Sequence, residues 1–219
     1  MKITILGAGE VGSHVALFCA LGKLDVYLFD KNYKKAEGHA SDINQSLSAL
    51  KFDNEAHGGY DHTLLRDADI VVVVVGQRRS GDMKRIELLD VNKDDVIQCS
   101  NQIRKYAPNS TVIVVTNPVD EMTKLVLKHT GFPHERVIKF GNLLDTIRFR
   151  QAIHRQTKKP RSEIICNVSG YHDEGAEHTY DGEIDENESR YMAIDTINKK
   201  GCTSFAPAIC ITEVIASYV

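Results

Sequence analysis

Apolar and polar positions fall into short blocks along this chain, and the blocks read as strand, turn and helix in repeated order. Lys2 to Leu6 form a short apolar strand, Ser13 to Leu21 an apolar helix, and Leu24 to Phe29 a second apolar run. A helical stretch is expected from Tyr33 to Leu50, then a polar, turn-rich segment from Asn54 to Asp61. Ile70 to Val75 is a run of apolar β-branched residues whose length suits a buried parallel strand. A basic loop from Gln77 to Arg85 leads into an amphipathic helix from Glu87 to Tyr106. Thr111–Val115 and Arg136–Phe140 are further strands, with a helix between them from Glu121 to His129. The alternation predicts an α/β fold, a Rossmann-type doubly wound parallel sheet with ligands at the carboxyl ends of its strands.

The pattern changes after residue 141. A helix is expected from Leu143 to Arg155 and a strand from Ser162 to Ser169. Asp173 to Glu188 is acidic and turn-like, Ser189 to Lys199 helical, and Ala206 to Val219 apolar with helical spacing. The expected organisation is therefore a dinucleotide-binding domain over residues 1–141 and a smaller, shortened α+β substrate domain over residues 142–219.

The first strand-to-helix turn carries the most chemical information. Gly7-Ala8-Gly9-Glu10-Val11-Gly12 has the GxGxxG spacing, and Asp30 ends the next strand eighteen residues after Gly12. Gly7 permits the tight turn, Gly9 lets a pyrophosphate approach the backbone, and Gly12 lets helix and strand pack closely. The helix N-terminus supplies free N–H groups and a positive dipole end for phosphates. Asp30 would accept hydrogen bonds from ribose hydroxyls and repel a 2′-phosphate, which favours NAD over NADP.

Composition narrows the rest. With 27 basic and 30 acidic residues the net charge is −3, and the signs are interspersed, so no nucleic-acid surface is expected. No segment is long and apolar enough to span a membrane. The first strand begins at the N-terminus without a signal-peptide pattern, so a cytoplasmic location is expected. The five cysteines are scattered and read as reduced core residues; neither they nor the nine histidines are spaced as a metal site.

Four places gather polar groups at strand ends or on one helix face. They are Asp145 with Arg148, the loop from Arg78 to Arg85, Asn117 before Pro118, and His172 after Gly170. Together with the glycine turn they resemble the malate/lactate dehydrogenase family. The resemblance rests on GAGEVG at 7–12, VVGQRRSGDMKRIELLDVN at 74–92, VTNPVD at 115–120, LDTIRFR at 144–150, SGYH at 169–172 and KKGCTSFAPA at 199–208.

The resemblance implies roles at matching positions. His172 would take the proton of the substrate hydroxyl. Asp145 would orient that histidine and favour its protonated form. Arg148 would clamp the substrate carboxylate, and Arg85 would polarise the carbonyl as the loop closes. Asn117 would stand near the nicotinamide and the substrate oxygen, and Gly76 beside the cofactor. Arg79, six residues before Arg85, would pair with a second carboxylate and so select malate and oxaloacetate over lactate and pyruvate. The expected partner is a small dicarboxylate, and the expected assembly a homo-oligomer, a dimer or tetramer. The stretch from His172 to Gly201 is shorter than in such relatives, and Asp173-Glu174 follows the histidine. Two other readings stay open: an NAD-binding protein with a decayed catalytic half, acting as a sensor or partner, and a lactate or other 2-hydroxyacid dehydrogenase.

Overall fold

Every residue of β1 (Ile3–Leu6) is buried, so the strand must lie inside a sheet covered on both faces. The computed structural model describes residues 1–78, 83, 85–172 and 175–218, with Arg85 described by its backbone alone. In it α1 (Glu10–Leu21), β2 (Val26–Phe29), α2 (Tyr33–Leu50) and β3 (Ala56–Gly59) follow the first strand. Then come β4 (Ile70–Val73), α3 (Arg85–Tyr106), β5 (Thr111–Val114), α4 (Val119–Thr130) and β6 (Val137–Lys139). The six strands are parallel, in the order β3-β2-β1-β4-β5-β6.

The period of two along each strand divides the core. Ile3, Ile5, Ile70 and Val72 face α1 and α2 in one apolar layer. Leu6, Val71, Val73, Val112 and Val114 face α3 and α4 in the other. The strand order reverses between β1 and β4, which opens a crevice at their carboxyl ends. The glycine turn after β1 and the loop after β4 border that crevice.

The second half holds α5 (Asn142–Thr157), an antiparallel pair of β7 (Cys166–Gly170) and β8 (Ala176–Tyr180), α6 (Asn187–Lys200) and α7 (Phe205–Ala216). Phe149 and Ile153 of α5 pack with Ile164 and Val168 in a small third core. Ala208, Ile211 and Ile215 of α7 join the apolar layer over α1, so the last helix is built into the first core.

Four expectations need correction. The polar segment at 54–61 contains β3, an edge strand without an apolar run. It lies against α2 because Gly58 has no Cβ, which would stand 2.2 Å from the Ala36 carbonyl oxygen. The acidic stretch after His172 contains β8, where Ala176, His178 and Tyr180 turn inward and Glu177 and Thr179 outward. The strand expected from Ser162 starts only at Cys166, after a 3-10 turn at Arg161–Glu163. Finally, α1 begins at Glu10 rather than Ser13, because the turn needs only the residues through Gly9.

Candidate active site at the carboxyl edge of the sheet

The glycine turn is fixed by two close approaches. A Cβ on Gly12 would stand 1.9 Å from the Gly7 carbonyl oxygen, so only glycine lets α1 start this close to β1. Gly7 has φ +112°, and a Cβ there would strike the Val74 backbone at 2.9 Å. Gly9 differs: a Cβ there meets nothing within 4 Å. It is the N-cap of α1 and offers no capping side chain. The outer face of the turn is thus open, and the first-turn N–H groups are donors without a side-chain cap, which fits a diphosphate. Asp30 is half-buried at the end of β2. Its Oδ2 accepts from the Ala8 N–H at 2.7 Å and its Oδ1 from the Asn32 N–H at 2.8 Å. Each oxygen keeps a lone pair for a ribose hydroxyl.

At the middle of the crevice, the loop after β4 is held from beneath. Asn92 of α3 is fully buried. Its Oδ1 accepts from Gln77 N–H at 2.7 Å, and its Nδ2 donates to the carbonyls of Gln77 and Asn117, each at 3.0 Å. One amide thereby ties the base of the basic loop to the end of β5. Gly76 lies against it, since a Cβ there would stand 2.5 Å from Asn92 Oδ1, and Asn117 is exposed. Arg78 donates from Nη1 to the Gly201 carbonyl at 3.1 Å, which pins the loop base to the end of α6. Arg79 lies outside the described residues, as do Asp173 and Glu174; Arg85 opens α3, and its side chain is not described.

Three predicted residues meet at the far end. His172 Nδ1 lies 2.5 Å from Asp145 Oδ2, with both side chains under one-fifth exposed. Arg148, one helix turn on, donates from Nη1 to Asp145 Oδ1 at 3.4 Å. The third core presses α5 onto β7, and Thr146 Oγ1 accepts from the Val168 N–H at 2.9 Å. This registers Asp145 against the turn that carries His172. Gly141 leaves room for the ring, since a Cβ there would lie 2.9 Å from His172 Cγ. Burial lowers the Arg148 guanidinium below its ordinary value while Asp145 opposes that shift; an arginine so placed stays cationic at neutral pH.

Asp145, Arg148 and His172 line a cavity of about 220 Å³ with His178, Ser189 and Arg190. His178 Nε2 lies 3.2 Å from Ser189 Oγ, and its ring packs edge-on against Phe149. A larger, open hollow of about 660 Å³ lies between α2 and β3, away from all of these groups. Among the described residues, no cluster of three or more His, Cys, Asp or Glu could hold a metal, and no helix is long and apolar enough to cross a membrane.

Residues 1–139 match the family model described as the lactate/malate dehydrogenase, NAD binding domain. The chain belongs to the lactate/malate dehydrogenase family. NAD is the cofactor of that domain, and the open glycine turn with Asp30 fits it. A malate dehydrogenase of Staphylococcus carnosus is 40% identical over 174 residues, covering 78% of this chain and 56% of the relative. One of Archaeoglobus fulgidus is 33% identical over 229 residues, covering 100% and 78%. The solved structure of the Archaeoglobus fulgidus malate dehydrogenase in complex with NADH superposes with TM-score 0.91 at 32% identity, over 98% of this chain and 76% of that one. A Cryptosporidium parvum lactate dehydrogenase complexed with lactic acid and NAD gives TM-score 0.91 at 25% identity, over 99% and 76%. The chain spans a little over half the length of the first of these relatives.

The sequence brought His172, Asp145, Arg148 and the cofactor glycines into view, but not Asn92. Its signal was present: Leu88, Asn92, Val96, Cys99 and Ile103 recur at helical spacing, so a lone amide sits on the buried face of α3. The Asp120–Lys139 pair, described below, was also missed.

Proposed function

We propose that this chain is an NAD-dependent malate dehydrogenase that interconverts malate and oxaloacetate. The observation that carries the reading is the His172–Asp145–Arg148 constellation beside the crevice of the NAD-binding domain. Oxidation of malate removes a hydride from C2 and a proton from the C2 hydroxyl. NAD, when bound, supplies the hydride acceptor. His172 presents Nε2 to the hydroxyl because Nδ1 faces Asp145, and it takes the proton there. Asp145 holds the ring and stabilises the imidazolium that forms. Arg148 clamps the carboxylate next to the reacting carbon with its planar fork. In the reverse direction the imidazolium returns its proton to the carbonyl oxygen of oxaloacetate.

Arg85 is assigned to polarise that carbonyl, Asn117 to the substrate oxygen and nicotinamide side, and Gly76 to the cofactor. Arg79 is assigned the distal carboxylate, which makes malate rather than lactate the substrate. The engagement of Arg78 with Gly201 supports Arg79 as the reader. A homo-oligomer and a cytoplasmic location belong to the same proposal. Tyr191, Ile194 and Ile197 leave an apolar stripe exposed along α6, which supports a covered face in an assembly.

The test is NADH consumption, followed at 340 nm, with oxaloacetate or pyruvate as oxidant. Oxaloacetate should be reduced well and pyruvate poorly. If NADH binds and neither is reduced, the chain is an NAD-binding module and the dehydrogenase reading fails. Faster turnover of pyruvate would make it a lactate-type enzyme.

A further inference from the structure

The turn that carries His172 is gripped by the nucleotide domain as well as by α5. Asp120 stands in the first turn of α4, 7% exposed, and Lys139 is the last residue of β6. Lys139 Nζ lies 2.9 Å from Asp120 Oδ1 and donates to the Gly170 carbonyl at 3.0 Å. Asp120 Oδ2 accepts from the His172 N–H at 3.3 Å. Between these two grips, the Lys139 ammonium lies 5.8 Å from the Tyr171 ring centroid. One ion pair thus touches three successive residues, Gly170 through His172. Both partners come from the six-stranded sheet and its helices, whereas the turn belongs to the second half.

We propose that Asp120 and Lys139 are positioning residues for His172. The pair fixes the backbone of the histidine turn, and its opposite charges offset each other at the imidazole. Asp145 sets the ring, and this strut sets the main chain from which the ring hangs. The catalytic meaning rests on the function proposed above, but the geometry does not. Among the described residues, the other charged and titratable groups that line the cavity with His172 are Asp145 and Arg148 from α5, His178 from β8 and Arg190 from α6. Asp173 and Glu174 lie outside the described residues. None of these differs among the variants below, so each variant isolates one charge of the pair.

The experiment is an NMR titration of the His172 ring in the full chain, which needs no turnover. The resonance is identified by its loss in His172→Asn. Lys139→Met removes the cation and keeps the Asp120 carboxylate, so it should raise the titration midpoint of His172. Asp120→Asn leaves the lysine unbalanced and should lower it. A unit charge several ångströms away in a half-buried site moves a midpoint by about half a unit or more. Lys139→Arg keeps the cation and should leave the midpoint near the parent's. Turnover of oxaloacetate, where the parent shows it, should drop in Asp120→Asn mainly through kcat, with NADH affinity retained. Midpoints that move in the same direction in Lys139→Met and Asp120→Asn, or do not move, would reduce the pair to ordinary packing and overturn the proposal. A parent that lacks turnover but shows the opposite shifts would sink the dehydrogenase reading alone.

Discussion

Replacing Asn92 with alanine tests whether one buried amide organises the middle of the crevice. The substitution removes three hydrogen bonds, one at 2.7 Å and two at 3.0 Å. Each contributes about 1 kcal/mol net. The released groups at Gln77 and Asn117 belong to exposed residues and recover some water contacts, so the expected loss is about 2–3 kcal/mol. For a chain of this length that lowers the midpoint of thermal unfolding by roughly 5–10 °C. Asn92→Asp should cost more. Its first oxygen can still accept from Gln77, but its second would face two carbonyl oxygens where Nδ2 now donates, and a charge would be buried. Urea unfolding followed by circular dichroism gives the stability change, and NADH fluorescence titration gives the functional one. Because Gln77 borders the crevice, NADH should bind several-fold more weakly to both variants. A loss below about 1 kcal/mol together with unchanged NADH affinity would refute the argument.

Other expectations follow from the same geometry. His172→Asn should abolish turnover with NADH affinity near the parent's, and Asp145→Asn should lower turnover strongly without unfolding the chain; retained activity in the first would point to His178, which lines the same cavity. NADH should bind at least about tenfold more tightly than NADPH, since a like-charge clash at Asp30 costs more than about 1.4 kcal/mol, and Asp30→Ser should narrow the gap. Arg79→Gln should reduce the preference for oxaloacetate over pyruvate by about a hundredfold, with Arg78→Gln far milder; no change in either would remove the main support for malate. Burial pushes the thiols of Cys19 and Cys210 up to about 11 and that of Cys99 up to about 12, so at pH 8 a disulfide reagent should label Cys202 and Cys166 first and reach the other three only on unfolding.

The alternation of strand and helix, the glycine turn and the acid at the end of β2 were legible in the chain itself. Each is local: a period of two or 3.6, or a backbone conformation that a particular residue permits. Asp145 and Arg148 could be placed on one helix face for the same reason. Two short strands were not legible. Residues 56–59 have no apolar signature, because β3 is an edge strand that glycine lets lie against α2. Residues 176–180 do alternate, but inside an acidic stretch that reads as a turn until β7 is there to pair with it.

What only the tertiary structure decided is which distant groups meet. Asp120 and Lys139 are nineteen residues apart, and His172 lies fifty-two beyond Asp120. Asn92 joins Gln77 to Asn117 across two strand ends. Such contacts depend on strand order and helix docking, which follow from how the apolar faces are buried together rather than from any local string. The sequence determined the elements and the residue types suited to the chemistry. The sheet, with a core on each face, and the third core between α5 and β7 determined the distances at which those residues can act.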